Sequence, residues 1–220
     1  MIKIENLSKI YNSKRDAIVA LSEVTLSIKS GEFVSIVGPS GSGKTTLLLC
    51  MGGLIHPSRG KVTIGGDSIY DLDVKKRAIF RLINLGFVFQ TFNLIPYLTA
   101  LENVQIPLAL AGNSDGSQSE KAAELLEKMG LADRLNHKPR ELSIGQQQRV
   151  AIARALANDP KIILADEPTG NLDPDMTRET VSYLKLLNQT GITVVMVTHN
   201  PGAVEYSQRR LRLVEGRLIE

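Results

Sequence analysis

An eight-residue segment from Gly38 to Thr45 has the residue types and the spacing of a phosphate-binding loop. It reads Gly-Pro-Ser-Gly-Ser-Gly-Lys-Thr and fits the pattern G-x-x-x-x-G-K-[ST]. Glycines let the backbone curl so that successive N–H groups, and the start of a following helix, point at one anionic centre. In this pattern Lys44 reaches the β and γ phosphates, and the Thr45 hydroxyl is a ligand of Mg²⁺. A chance match in a surface turn is disfavoured, because an apolar run, Phe33 to Val37, precedes the loop and a helical stretch, Thr45 to Leu54, includes its last residue and continues beyond it.

Two carboxylates stand directly after an apolar run farther along the chain. Ile162 to Ala165 predicts a buried strand, and Asp166 and Glu167 follow it, where a parallel sheet places its ligand crevice. Asp166 can hold Mg²⁺ through water, and Glu167 is placed to polarise an attacking water as a general base. The alternative, a solvated pair of loop acids, is weak beside a phosphate loop. The two features together predict hydrolysis of a nucleoside triphosphate.

The segment Leu142 to Arg149 opens a helix that is predicted to run to about Asn158, with Ser143 as its cap. By itself this segment is only a helix start. Its sequence, LSIGQQQR, nevertheless resembles the L-S-G-G-Q signature of ABC ATPases, and other elements of that family follow in order over essentially the whole chain. Tyr11 resembles the adenine-stacking aromatic residue, and Gln90 resembles the Q-loop glutamine. Asn171-Leu172-Asp173 resembles the D-loop, and His199 resembles the switch histidine.

This resemblance implies an ATPase that uses ATP and Mg²⁺ and works as a head-to-tail homodimer. Each ATP would lie between the phosphate loop of one subunit and Ser143 and Gly145 of the other, where the positive end of the signature helix faces the γ-phosphate. The resemblance assigns catalytic roles to Glu167, His199 and Lys44, and metal binding to Thr45, Gln90 and Asp166. The implied nucleotide contacts are Tyr11, Gly38, Pro39, Ser40, Gly41, Ser42, Gly43, Lys44, Thr45, Thr46, Gln90, Ser143, Gly145, Gln146 and Asp173.

Two kinds of residue in this set have a plain structural alternative. Tyr11 could pack on the core instead of stacking on adenine. A lone histidine is more often structural, which we expect for His56 and His137. His199 differs from them because it ends the run Ile192 to Thr198, beside the inferred γ-phosphate site.

The signature has one departure from the family pattern. Ile144 stands where the family usually has the first glycine of a pair. The backbone N–H of an isoleucine can still donate to a phosphate. If this position required a positive φ, however, a β-branched residue would be strained there.

The predicted fold class is α/β: a P-loop NTPase core with a mostly parallel sheet flanked by helices, an N-terminal antiparallel β subdomain, and a helical subdomain that carries the signature. We expect residues 1–220 to form a single ABC ATPase domain, with approximately 1–91 and 159–220 as the nucleotide-binding core and approximately 92–158 as the helical subdomain. Strands are predicted at Ile2 to Leu7, Ala17 to Ile28, Phe33 to Val37, Lys61 to Ile64, Leu85 to Phe89, Ile162 to Ala165 and Ile192 to Thr198.

Local signals mark several helix starts and turns. Capping boxes are predicted at Thr99 with Glu102, Ser117 with Glu120, and Ser143 with Gln146. The pair Asp173-Pro174 indicates a further helix start. A flexible loop is predicted at Asn113 to Ser117, and a hairpin around Glu215-Gly216 is predicted within Arg210 to Ile219.

Composition places the chain among ordinary globular proteins, with 220 residues of which 43% are hydrophobic and 22% charged. The single cysteine, Cys50, excludes a disulfide framework and a cysteine metal site, and it fits a reducing compartment. The 26 basic residues are scattered among 23 acidic ones, so we expect no nucleic acid partner. The N-terminus lacks the pattern of a leader peptide, and the chain has no apolar run of about 18 residues that would span a bilayer.

Within the family, Gly86 to Pro96 and Leu164 to Asp173 resemble the branch of lipoprotein-release, macrolide-export and cell-division ATPases. That resemblance implies separate transmembrane permease subunits as partners and a peripheral position on the cytoplasmic face of the cell membrane. Candidates for the partner contact are the apolar residues that follow Gln90: Phe92, Leu94, Ile95, Pro96 and Tyr97. A regulatory motor that moves no substrate is the alternative to a transport motor. A soluble ABC ATPase of translation or DNA repair is disfavoured, because such proteins usually carry two cassettes or long coiled-coil insertions.

Overall fold

A six-stranded sheet forms the centre of the molecule. The computed structural model describes residues 1–12 and 17–219. In this sheet the strand order is β10-β9-β3-β8-β7-β6, and all neighbours are parallel except the edge pair β9 and β10. The strands are β3 (Phe33–Val37), β6 (Leu85–Phe89), β7 (Ile162–Asp166), β8 (Thr193–Val197), β9 (Arg209–Val214) and β10 (Arg217–Ile219). The near-continuous apolar runs of β3 and β8 are buried over their whole length, as expected for central parallel strands.

A second, antiparallel sheet is built mainly from the N-terminal part of the chain. Its order is β2-β1-β4-β5, with β1 (Ile2–Asn12), β2 (Ala17–Ile28), β4 (Arg59–Ile64) and β5 (Asp67–Ser68). Buried and exposed residues alternate along much of β1 and β2, because one face of this sheet packs on the core. The predicted fold class, a mostly parallel core sheet with an antiparallel β subdomain, is confirmed.

Helices cover both faces of the central sheet. They are α1 (Lys44–Met51), α2 (Val74–Asn84), α3 (Ala100–Leu110), α4 (Asp115–Lys128), α5 (Ile144–Leu156), α6 (Pro174–Gln189) and α7 (Pro201–Val204), with 3-10 turns at Ala132–Arg134 and Pro139–Glu141. One core lies between the antiparallel sheet, α1 and the face of the central sheet that carries Val34 and Ile36. The other joins the opposite face, with Phe33 and Met196, to α3, α4, α5 and α6.

The helix starts agree with their predicted caps at three of four places. Thr99 and Ser143 each form the predicted capping box, and Asp173 caps α6 with Pro174 as its first residue. The box predicted at Ser117 is wrong, because α4 already begins at Asp115 after Ser114, where an acidic residue suits the first turn. The loop predicted to extend to Ser117 therefore ends at Ser114.

The C-terminal hairpin and the helix α2 are the last elements to compare with the predicted ones. The hairpin around Glu215-Gly216 is confirmed as the turn between β9 and β10. The helix α2 has no counterpart among the predicted elements, although Asp73 caps it by accepting a hydrogen bond from the Lys76 N–H.

The stretch 92–158 contains α3, α4 and α5, and its division from the core stays a prediction. Within residues 1–12 and 17–219, no helix combines the length and apolar character that a membrane crossing needs.

Asn103 on α3 fixes the segment that precedes this helix. Its side chain is fully buried, and its Oδ1 accepts a hydrogen bond from the Ile95 N–H at 2.8 Å. Its Nδ2 donates to the carbonyls of Ile95, Leu98 and Thr99 at 3.2, 3.2 and 2.9 Å. One amide thus satisfies backbone groups that would otherwise be buried without partners.

We expect Asn103→Ala to lower the free energy of unfolding by about 1 to 3 kcal/mol, because it leaves buried backbone groups unpaired. Urea denaturation in the absence of nucleotide measures this loss. The matched control is Asn113→Ala, since the Asn113 amide also donates to a carbonyl, that of Leu108, but belongs to an exposed residue. An equal loss in both variants would contradict the role assigned to the buried amide.

Candidate nucleotide site

The predicted phosphate loop lines a cleft at the carboxyl ends of the central strands. The cleft has a volume of about 630 Å³. It lies where β3, β7 and β8 end, which is the usual place for a ligand in an open parallel sheet. The lining residues are Ile18, Val19, Ala20, Gly38, Pro39, Ser40, Gly41, Ser42, Gly43, Lys44, Thr45, Thr46, Gln90, Glu167 and His199.

Two glycines of the loop are required by close backbone approaches. A Cβ on Gly38 would lie 2.0 Å from the carbonyl oxygen of Leu213, and one on Gly43 would lie 2.2 Å from that of Ala20. Gly43 also has a φ of 98° and forms the N-cap of α1 without a side chain that could accept a hydrogen bond. The first N–H groups of α1 therefore keep no side-chain cap and can face an anion in the cleft.

Lys44 is buried inside the curl of the loop. Its ammonium donates hydrogen bonds to the carbonyls of Gly38 and Pro39, each at 2.9 Å. These bonds hold a positive charge at the centre of the loop, where the sequence pattern predicts contact with the β and γ phosphates.

The loop is joined to the end of β7 by a hydrogen bond between two of the three residues predicted to hold a metal. The Thr45 hydroxyl donates to Asp166 Oδ1 at 2.9 Å. Burial raises the pKa of Asp166; the Thr45 hydrogen bond opposes this shift, the Glu167 charge adds to it, and Lys44 opposes it. Burial therefore disfavours the charged form of this carboxylate.

These oxygen atoms fit Mg²⁺. A hydroxyl and one carboxylate meet beside the phosphate loop, and Gln90 lines the same cleft. No cluster of three or more His, Cys, Asp or Glu side chains suited to a metal occurs in the part of the chain that the structure describes. The hydroxyl of Thr45 and the carboxylate of Asp166 suit Mg²⁺, which is usually held by one or two carboxylates together with substrate phosphates and water.

Glu167 is held in place from two directions. Its Oε2 lies 2.9 Å from His199 Nδ1 and accepts a hydrogen bond from the His199 N–H at 3.2 Å. The N–H of Glu167 donates to the carbonyl of Val197 on β8 at 2.9 Å. With a φ of 48°, Glu167 adopts the left-handed conformation that is uncommon for residues with a side chain. The geometry sets one carboxylate oxygen beside the imidazole at the edge of the cleft.

Comparison with known proteins decides the family. The sequence pattern of the family described as ABC transporter matches residues 21–170. This chain belongs to that family. It is an ABC-type ATPase and the nucleotide-binding subunit of a transporter-type system.

Relatives of this ABC cassette agree with the predicted branch. The chain is 46% identical to the lipoprotein-releasing system ATP-binding protein LolD of Geobacter metallireducens, over 100% of this chain and 98% of the relative. It is also 46% identical to the macrolide export ATP-binding/permease protein MacB of Bdellovibrio bacteriovorus, over 98% of this chain but 33% of that protein. One similar solved structure is a dimeric, post-hydrolysis state of an ATP-binding cassette of Methanocaldococcus jannaschii, bound to ADP and Pi. It matches this chain with a TM-score of 0.93 and 47% sequence identity, and the match covers 100% of this chain and 97% of that chain.

The predicted site residues at the starts of α5 and α6 lie outside the cleft. Ser143 and Gln146 form the capping box at the start of α5, and Gly145 is buried against α6, where a Cβ would lie 3.2 Å from Met176 Sδ. Asp173 accepts hydrogen bonds from the N–H groups at the start of α6. Within one chain these residues therefore do not meet the phosphate loop.

Ile144 is compatible with its place in the signature. It is the first residue of α5, it is half exposed, and it does not have a positive φ. A helical backbone accepts a β-branched residue, so the strain considered from the sequence does not arise. The exposed side chain stands at the N-terminus of the signature helix.

Tyr11 lies beside the cleft rather than in its lining. It pairs with Ile18 across β1 and β2, its side chain is exposed, and the Lys9 ammonium lies 5.0 Å from the centre of its ring. The lining on this side comes from Ile18, Val19 and Ala20, which sequence reasoning missed. Their pairing with the strand that carries Tyr11 is the signal that could have identified them. Residues 13–16, between the two strands in the sequence, lie outside the described residues.

Asp166→Asn should stabilise the nucleotide-free cassette, because it removes a charge that burial disfavours while keeping an oxygen for the Thr45 hydroxyl. Partial exposure to water keeps the effect small. We expect Tm to rise by about 1 to 4 °C near neutral pH, the response to a gain of about 0.5 to 1 kcal/mol in a chain of this length.

The pH dependence of this effect has a definite sign. A raised pKa means that the protonated form of Asp166 stabilises the fold, and this stabilisation is lost as the pH rises above its folded-state pKa. The Tm difference from the parent should therefore shrink as the pH falls towards the ordinary pKa of aspartic acid. Thermal unfolding without nucleotide or Mg²⁺ tests this, with Asp133→Asn as an exposed control. A lower Tm for Asp166→Asn at neutral pH would contradict the assignment.

Proposed function

We propose that this chain is the ATP-hydrolysing motor subunit of an ABC transport complex, and that Glu167 is its general base. The observation that carries the proposal is the position of the Glu167 carboxylate, held by His199 beside the phosphate loop. A carboxylate fixed at the edge of a phosphate site can accept a proton from the attacking water. His199 orients this carboxylate through its ring and its backbone N–H.

The phosphates are bound by the loop and its lysine. Backbone N–H groups of the loop and of the first turn of α1 bind the phosphate oxygens, and Lys44 places its ammonium among them. When Mg²⁺ is bound with ATP, it neutralises charge that develops on the phosphates. Thr45, Asp166 and Gln90 would hold the ion, and the desolvated carboxylate of Asp166 gains the positive charge it lacks.

A second copy of the chain completes the site. Ser143 and Gly145 stand at the N-terminus of α5, outside the cleft of their own chain, and that helix end carries partial positive charge. A head-to-tail homodimer would bring these donors to the γ-phosphate of the partner subunit's ATP. The dimeric cassette bound to ADP and Pi, at 47% identity, supports this arrangement.

The membrane partner is proposed to dock in a groove between the core and the helical region. This groove has a volume of about 780 Å³, and its lining includes Leu54, Ile79 and Leu110, whose side chains are 45%, 45% and 70% exposed. Exposed apolar surface of this kind marks an interaction site. Binding of permease subunits there would place the cassette on the cytoplasmic face of the membrane.

The candidate contacts after Gln90 divide into two groups. Phe92 is buried and cannot meet a partner, whereas Tyr97 is 71% exposed. Leu94 and Ile95 are partly buried, and Pro96 is exposed. The exposed members, Pro96 and Tyr97, are therefore the better candidates for a contact in this segment.

Glu167→Gln should lower ATP turnover by roughly 10²- to 10⁴-fold, because an amide keeps the shape of the carboxylate but cannot take a proton from water. It should also favour the ATP-bound dimer, since it removes a negative charge near the γ-phosphate. Parallel ATPase assays and size-exclusion chromatography in Mg-ATP measure both effects.

Lys44→Ala is the control for that experiment. We expect it to lose ATP binding and dimerisation together, because the positive charge at the centre of the loop is gone. A turnover near that of the parent in Glu167→Gln would mean that Glu167 is not the base. A chain that stays monomeric when saturated with ATP and blocked in hydrolysis would exclude the shared site.

Ile79→Glu should release the chain from membranes, because it places a charge in the apolar groove. We expect the fraction that sediments with host membranes to fall at least about tenfold, the effect of roughly 1.4 kcal/mol. ATP turnover of the isolated chain should stay within about twofold of the parent. Leu186→Glu, at a 57% exposed position on α6 outside the groove, is the matched control. Equal retention of both variants, or equal binding of the parent to protein-free lipid vesicles, would contradict docking of a permease in this groove.

A further inference from the structure

The segment that follows Gln90 has an unusual backbone. Phe92 and Asn93 are consecutive residues with φ values of 58° and 50°, both in the left-handed region. Asparagine tolerates this region, whereas a bulky residue such as phenylalanine rarely adopts it. A conformation of this kind persists only where the surrounding structure holds it in place.

One arginine holds both residues. Arg154 of α5 donates from Nη1 to the carbonyl of Asn93 at 2.5 Å and from Nη2 to the carbonyl of Phe92 at 2.6 Å. The planar guanidinium presents two donors at a fixed spacing, which suits two successive carbonyls that the left-handed turn points the same way.

Arg154 is not placed there by an ion pair. It has no carboxylate partner among the salt bridges of the described residues, and burial lowers the pKa of its guanidinium. An arginine keeps its charge under such conditions. A partly buried guanidinium whose hydrogen-bond partners are two successive carbonyls points to a role in fixing the position of those carbonyls.

Gln90 lies directly before this held segment. Its carbonyl accepts a hydrogen bond from Asn171 Nδ2 at 3.1 Å, and a Cβ on Gly170 would lie 2.6 Å from its side-chain nitrogen. The loop that carries Gln90 is thus fixed by Asn171 on one side and by Arg154 on the other. Arg154 also lines the apolar groove, so it touches both the groove and the loop that reaches the cleft.

We propose that Arg154 is a positioning residue for Gln90. By holding Phe92 and Asn93 in the left-handed conformation, it keeps Gln90 at the cleft, and it ties this position to the placement of α5, whose N-terminal end carries Ser143 as its cap and Gly145 in its first turn. The inference rests on the proposed ATPase function of the cleft. The alternative is that Arg154 stabilises the fold and has no effect on catalysis beyond that.

The test begins with Arg154→Lys. Lysine keeps the charge, but a single ammonium cannot reproduce the two parallel bonds. We expect kcat for Mg-ATP hydrolysis to fall about 10- to 100-fold, the scale of a small displacement of a reacting group, while ATP affinity stays within about twofold. Arg209→Lys is the matched control, since Arg209 also donates to a backbone carbonyl, that of Ser27, away from the cleft.

Two further variants separate positioning from folding. Asn93→Gly adopts a positive φ without strain, so combining it with Arg154→Lys should restore at least part of the lost kcat. Gln90→Ala provides a double-mutant cycle: if Arg154 acts through Gln90, the double variant Gln90→Ala with Arg154→Lys should be no slower than Gln90→Ala alone. A kcat for Arg154→Lys within about twofold of the parent, or losses that multiply in full, would overturn the proposal.

The same assays separate a failure of the positioning role of Arg154 from a failure of the proposed function. If the parent hydrolyses ATP and Glu167→Gln does not, but Arg154→Lys is as fast as the parent, only the positioning role fails. If Glu167→Gln matches the parent, the proposed function fails first. Arg154→Met is a further variant, which removes the charge. If Arg154→Met does not fold, the kcat of Arg154→Lys decides whether Arg154 positions Gln90.

Discussion

Burial of a carboxylate at the end of β7 is the constraint around which the cleft is built. Asp166 is the last, partly buried residue of β7 and Glu167 follows it; burial raises the pKa of Asp166, and the Glu167 charge adds to this shift. The Thr45 hydroxyl and Lys44 offset this only in part. Such a site is less stable alone than one with neutral residues, and it is completed by ligands that bring positive charge. The nucleotide-free cassette thus stores an unfavourable interaction that binding of a metal nucleotide would relieve.

Part of the backbone strain of the molecule lies around the same cleft. Among the seven side-chain-bearing residues with a positive φ in the described part of the chain, Glu167 is the proposed base, and Phe92 and Asn93 lie just after Gln90. Each of these three is held by specific hydrogen bonds: Glu167 to Val197, and the other two to Arg154. Strain that is supported in this way fixes the direction of a side chain more strictly than an ordinary loop could.

Much of the fold could be predicted because its signals are local. The bounds of β3 and β6, the cap at Asp173 and the turn at Glu215-Gly216 depend on residues within a few positions of each other. The helix α2 was missed because none of its residues is fully buried and only part of its apolar surface, with Phe80, packs on the core, so its apolar pattern is weak. The start of α4 was misplaced because Ser114 and Ser117 are both residue types that cap helices, and the helix begins after the first of them, with Asp115 in its first turn.

The candidate site shows the same limit. The loop and the acid pair were identifiable because phosphate chemistry requires those residues in sequence. Val19 lines the cleft, and Arg154 contacts the segment after Gln90, from distant parts of the chain. No spacing rule connects Arg154 to Phe92, since the bond crosses 62 positions. Helix α5 nevertheless connects this contact to the signature residues, because it carries Arg154 and begins directly after Ser143. At about 1.5 Å per residue, Ser143 and Arg154 lie roughly 16 Å apart on one rigid element. A shift of that helix would therefore move Ser143, the proposed donor to a second subunit, and the anchor of Gln90 together, so that the proposed dimer contact and the loop after Gln90 would respond to one motion.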